Sequence, residues 1–138
     1  MNNISSENGI REINTESIIE AVAALCIDAN LELSEDMQQC ISRAKEEEKS
    51  PLAREILNQL QENMEIAKED RIPICQDTGM AVLFVEIGQE VHITGGSLTD
   101  AINEGVRKGY TEGYLRKSVV SDPLIRENTK DNTPAIKP

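Results

Sequence analysis

The sequence predicts an α+β domain in which three amino-terminal helices pack on a small sheet together with one further helix. Three observations predict it. Phe84, Tyr110 and Tyr114 are the only aromatic residues, so the core has to be built from Leu, Ile, Val, Ala and Met, which suits helix packing better than an all-β sandwich. Apolar residues recur at helical spacing through residues 14–70. The most strand-like run, Met80-Ala81-Val82-Leu83-Phe84-Val85, comes only after that, behind a proline-punctuated polar loop. A length of 138 residues fits one domain with a core of its own.

Residues 1–13 are polar and are expected to be loose. A first helix starts at Asn14 and Thr15, carries Ile18, Ile19, Val22, Ala23, Leu25, Cys26 and Ala29 at helical spacing, and ends near Asn30. Ser17 with Glu20 offers a capping box just inside that start. Ser34 caps a second helix whose apolar positions Met37, Cys40, Ile41 and Ala44 follow the i, i+3, i+4, i+7 pattern. This spacing assigns Cys26 and Cys40 to the core, and the charged run Lys45–Lys49 to solvent.

Ser50-Pro51 opens a third helix, a capping serine before a proline at the first helical position. Leu52, Ile56, Leu60 and Met64 step by four along one face, and the helix should reach about Asp70. Past the strand-like run, Gly88-Gln89-Glu90 makes a turn into a short strand at Val91-His92-Ile93, with His92 as a surface or edge residue. Ser97 with Asp100 starts a further helix, with Leu98, Ile102, Val106 and Tyr110 on its apolar face. Gly105, Gly109 and Gly113 repeat every four residues. Each glycine costs a helix about 1 kcal/mol relative to alanine, so the stripe implies another backbone packed closely against it. Val119-Val120 is a candidate strand, and the polar stretch to Pro134 is either a loose end or a segment that needs a partner.

A net charge of −11 argues against nucleic acid or an anionic membrane as partner, since phosphate contacts need clustered Lys and Arg. No apolar run is long enough for a transmembrane helix, and the amino terminus lacks a basic-then-apolar signal pattern. A cytoplasmic location is therefore expected, where three cysteines read as thiols or metal ligands before disulfides.

The chemistry concentrates in Cys75-Gln76-Asp77-Thr78-Gly79, where a thiol, an amide, a carboxylate and a hydroxyl sit in consecutive positions ahead of the strand-like run. Asp-Thr-Gly is also the signature of aspartic proteases, in which two such carboxylates share a proton. Those enzymes are almost entirely β, whereas three helices precede the motif here. The chain could also be a non-catalytic helical interaction module.

Taken together, the CQDTG loop with its apolar run and the segment LRKSVVSDPLIRENTKDNTPA at 115–135 resemble the class I (iron–sulfur) fumarate hydratases and the related L-tartrate dehydratase alpha subunits. The resemblance implies a reversible hydro-lyase acting on a small dicarboxylate, with a 4Fe-4S cluster held by three cysteines and one iron left open. It implies that Cys75 is one thiolate ligand, that Gln76 and Asp77 contact substrate, and that Arg116 pairs with a substrate carboxylate in a bidentate fork. The other cluster cysteines and the catalytic base would belong to later polypeptide or a beta subunit. Residues 1–138 then read as the amino-terminal portion of an alpha subunit, inactive alone and part of an oligomer, with a helical part at 14–70 and a mixed part at 72–138. Lys130 stands where the family pattern has glycine, and Arg126 receives no role.

Overall fold

The computed structural model describes residues 9–137. In chain order the elements are β1 (Arg11–Asn14), α1 (Thr15–Leu31), α2 (Glu35–Glu47), α3 (Pro51–Asp70), β2 (Val91–Thr94) and α4 (Leu98–Glu112). The α+β class holds. Two helix starts follow local chemistry closely: Ser50 Oγ accepts from Ala53 N with Pro51 at the first helical position, and Ser97 Oγ accepts from Asp100 N, whereas Ser34 precedes α2 without a side-chain capping bond. For α1 the cap is Asn14, whose side-chain oxygen takes the Glu16 amide at 2.8 Å. Ser17 lies within the first turn of α1, past the Asn14 cap and too late for the capping box expected there.

The core is the contact between α1 and α4. Val22 of α1 meets Ile102, Val106 and Tyr110 of α4, and Leu115 and Ala135 close the cluster. Val106 is 0% exposed. The glycine stripe faces α1 as its spacing implies. A Cβ on Gly105 would stand 2.6 Å from Val22 Cβ and 2.8 Å from the Ile19 carbonyl oxygen. One on Gly109 would stand 2.8 Å from the Ala23 carbonyl oxygen and 2.9 Å from Cys26 Cβ. No side chain fits between these two backbones.

β1 and β2 pair in parallel, Arg11 opposite Val91 through Asn14 opposite Thr94, and form the two-stranded sheet. This corrects the expectation of a loose stretch up to residue 13 for Arg11–Ile13; residues 1–8 lie outside the described residues. The reason is tertiary. Four polar-leaning residues carry no periodicity of their own, and only the β2 edge makes them a strand.

The run Met80–Val85 departs from expectation in the other direction. It is extended and ladder-bonded at one point, where Leu83 N donates to the Ile136 carbonyl and Ile136 N to the Ala81 carbonyl, both at 2.9 Å. Among the described residues it forms only that bridge, since a strand needs a neighbour along its whole length. Ala81 and Leu83 turn toward the core, while Phe84 is 85% exposed.

Helices α2 and α3 pack on each other, with Lys45 Nζ donating to Asn58 Oδ1 and Gln61 Oε1 across the pair. Two further corrections arise here. Cys40 is exposed, and so is the stripe Leu52, Ile56 and Leu60, with Leu52 at 72%. The half-buried face of α3 runs instead through Ala53, Leu57, Gln61 and Met64. A hairpin of two helices has one contact line, so only one narrow stripe of each helix is covered.

The polar carboxy-terminal stretch is folded onto the domain. Val120 bridges Asn128 in an antiparallel pairing, and Thr129 N donates to the Val119 carbonyl at 3.0 Å. Asp131 fastens the stretch to α4 through Arg107 Nε at 3.1 Å and accepts from both the amide and the hydroxyl of Thr133. Burial works against its charge, but the Thr133 donors, Arg107 and Thr129 outweigh burial and hold the Asp131 carboxyl down to about 2.

Two outcomes follow for stability. Replacing Gly109 by alanine should lower the unfolding free energy by about 1–3 kcal/mol in urea melts, because the overpacking outweighs the gain in helix propensity. A depressed carboxyl stabilises the fold above its unfolded value near 3.9 and ceases to do so as pH falls through about 2. Asp131→Asn should therefore be less stable than the parent at neutral pH, with the two denaturation midpoints converging as the pH is lowered from about 4 to about 2.

Candidate functional site

The loop Ile72–Gly79 is held at its entry by both flanking helices. Helix α3 stops at Arg71, which turns left-handed at φ 53°, and Ile72 N donates to the Ala67 carbonyl. Ile74 N then donates to the Asn30 carbonyl at the end of α1, and Asn63 Nδ2 of α3 donates to the Ile74 carbonyl, both at 2.9 Å. Cys75 follows directly. Its thiol is exposed, and the Asp77 amide donates to Cys75 Sγ at 3.4 Å.

At its exit the loop is held by main-chain acceptors. Tyr110 on α4 directs its hydroxyl to the Thr78 and Gly79 carbonyls, each at 3.2 Å. Thr78 Oγ1 donates to the Arg116 carbonyl at 2.9 Å. Asn132, fully buried, donates from Nδ2 to the Gly79 carbonyl at 3.1 Å and accepts at Oδ1 from the amides of Ser118 (2.7 Å) and Val119 (3.1 Å). The structure thus brings the CQDTG loop against the backbone of the LRKS segment. Gln76, Asp77 and Arg116 are exposed, and among the described residues none of their side chains has a hydrogen-bonding or ionic partner.

Other residues singled out in the sequence stay apart from this arrangement. Cys26 is half-buried against the core, where burial raises its thiol above the ordinary range. Cys40 lies on the outer hairpin, and His92 is exposed on β2. Among the described residues no group of three or more His, Cys, Asp or Glu stands together to hold a metal. Arg126 is exposed at φ 60°, ending a turn whose Asp122 carboxylate accepts from the Leu124 and Ile125 amides at 2.8 Å. Those two bonds hold the Asp122 carboxyl below its usual range.

Sequence reasoning missed Asn132, Thr78 and Tyr110 as the parts that join the two motifs. The available signal was density: a polar run at 127–134 that becomes buried has to find partners, and Asn132 finds three. Lys130, at the position where the sequence resemblance leads one to expect glycine, adopts φ 67° with its amide on Asn128 Oδ1. The left-handed turn that glycine adopts freely is therefore kept by a lysine.

A family model described as fumarate hydratase (fumerase) matches residues 19–137. The chain is 36% identical over 116 residues to a Methanocaldococcus jannaschii protein named for L(+)-tartrate dehydratase subunit alpha, covering 83% of this chain and 40% of that protein. To the L(+)-tartrate dehydratase subunit alpha of Escherichia coli K12 it is 25% identical over 130 residues, covering 94% of this chain and 42% of that subunit. To the anaerobic class I fumarate hydratase of the same organism it is 40% identical over 75 residues, covering 53% of this chain and 14% of that enzyme. The chain therefore spans about two fifths of the alpha-subunit relatives and a smaller share of the longer hydratase. With nearly all of its described length inside the matched region, the chain belongs to the fumarate hydratase (fumerase) family.

Proposed function

We propose that the chain is the amino-terminal portion of an iron–sulfur hydro-lyase alpha subunit that reversibly adds or removes water on a small dicarboxylate, either fumarate/malate or tartrate/oxaloacetate. The observation that carries this reading is the stitching of the CQDTG loop to the Arg116 segment through Thr78 and Asn132, which leaves Cys75, Gln76, Asp77 and Arg116 exposed, with no partners for the Gln76, Asp77 and Arg116 side chains among the described residues.

Cys75 suits a thiolate ligand: it is exposed on an anchored loop, and its sulfur accepts a backbone N–H from Asp77. A 4Fe-4S cluster takes three or four thiolates, so this chain supplies one donor and the others come from the rest of the enzyme. When bound, the cluster supplies an open iron that acts as a Lewis acid on the substrate's oxygens. Gln76 and Asp77 then contact the substrate beside it, and Arg116 binds a substrate carboxylate. No residue of this chain is assigned as the base. It comes from further polypeptide of the alpha subunit or from a beta subunit, within an oligomer, and the chain alone is inactive.

A cytoplasmic location goes with this reading, as do the tricarboxylic acid cycle for the fumarate substrate and no binding of nucleic acid or membrane. No helix among the described residues is long and apolar enough to cross a membrane. The substrate-facing role proposed for Asp77 takes the place of the aspartic-protease reading of Asp-Thr-Gly.

Co-production with the remaining alpha and beta polypeptide under anoxic reconstitution tests the assignment. Cys75→Ala should abolish the cluster's visible absorbance and hydration of fumarate or tartrate turnover; a full cluster with normal turnover in that variant would overturn the reading. Arg116→Met should raise the KM by about tenfold or more while leaving the cluster spectrum intact, as expected for loss of a charge-assisted bond worth about 1.5–3 kcal/mol.

A further inference from the structure

We propose that Asn132 is a positioning residue for the Cys75–Asp77 loop, acting through the Gly79 carbonyl; its catalytic consequence rests on the function proposed above. Asn132 is 0% exposed, and every bond it makes there joins two segments far apart in sequence. Its oxygen takes the Ser118 and Val119 amides, which fixes the backbone two and three residues beyond Arg116. Its Nδ2 donates across 53 residues of sequence to Gly79, two residues beyond Asp77 and four beyond Cys75. One planar amide thereby sets the distance between the loop and the arginine segment.

The residue type is dictated by the bonding. The site asks for one donor and two accepting lone pairs in a single short group, on a backbone at φ 61°. Asparagine has that inventory and tolerates the left-handed region. Aspartate keeps both acceptors but presents an oxygen to the Gly79 carbonyl in place of a donor. Tyr110 supplies the second hold on the same carbonyl at 3.2 Å, and Thr78 carries the parallel link to Arg116 at 2.9 Å. Neither replaces Asn132, because neither touches Ser118 or Val119.

Asn132→Asp separates the two halves of this role, since it releases the loop while keeping the Ser118 and Val119 bonds. In the reconstituted enzyme we expect the cluster absorbance to persist and the dicarboxylate KM to rise about tenfold or more, with the larger part of the loss in KM, because a displacement near 1 Å at a binding loop is worth up to about a hundredfold. A purely structural residue would instead lower Tm and leave KM unchanged, and that result would overturn the proposal. The full 138-residue chain provides a second measurement. With Cys26 and Cys40 replaced by alanine, a nitroxide attached to Cys75 should tumble several-fold faster in Asn132→Asp, and faster to a lesser degree in Tyr110→Phe, than in the parent. The same label on Cys40, with Cys26 and Cys75 replaced, should not change. Equal mobility at Cys75 in the Asn132→Asp and parent chains would overturn the proposal, and Asn132→Ser, which also loses the Gly79 bond, is read in the same way if Asn132→Asp does not fold. The label experiment needs no cluster, so a failed hydro-lyase assignment and a failed positioning role are told apart.

Discussion

Backbone-to-backbone contact between α1 and α4 is the constraint on which the rest of the structure depends. Glycines at 105 and 109 bring the helices so close that the carbonyl oxygens of Ile19 and Ala23 stand 2.8 Å from where a Cβ would be. That approach sets both ends of the loop at once. Helix α1 offers the Asn30 carbonyl to Ile74 at the entry, and α4 offers the Tyr110 hydroxyl to Thr78 and Gly79 at the exit. A wider spacing of the two helices would stretch the loop between them.

The loop is held almost wholly through main-chain groups. Ile74, Thr78 and Gly79 all use their carbonyls or amides as anchor points, and Arg116 is tied by its carbonyl. Scaffold and chemistry are thus divided within the same residues. The backbone is spent on position, and the side chains of Gln76, Asp77 and Arg116 remain available. Asn132 extends the same logic inward, since a buried amide meeting three main-chain groups leaves no orphaned polar atom.

What could be read in the sequence was what local chemistry decides. The Ser50-Pro51 and Ser97 starts, the helical face of α4 and the close-packed glycine stripe all follow from neighbours within a few turns, whereas Leu25 and Ala29 of the expected α1 face are exposed. The CQDTG loop was legible as a chemical cluster for the same reason. What escaped depends on residues far away. β1 exists because β2 lies beside it, and the exposed Leu52–Ile56–Leu60 stripe reflects which single line of α3 meets α2. Met80–Val85 has strand composition without a full-length neighbour among the described residues. The clamp at Asn132 could not be located because a polar residue's partners are set by the fold around it, and those partners lie at Gly79 and Ser118.

The separation of those partners has a kinetic side. Contacts within the α2–α3 hairpin are close in sequence, whereas the α1–α4 packing, the β1–β2 pairing and the Asn132–Gly79 bond each close a large loop of chain. Long loops must meet their closure entropy before any contact rewards it, so a domain that rests on such contacts folds more slowly than one built from local hairpins. The anchored loop is therefore not a local motif that could be carried on a short peptide. It comes into being only when both ends of the domain have found each other, and its geometry reports on the folding of the whole chain.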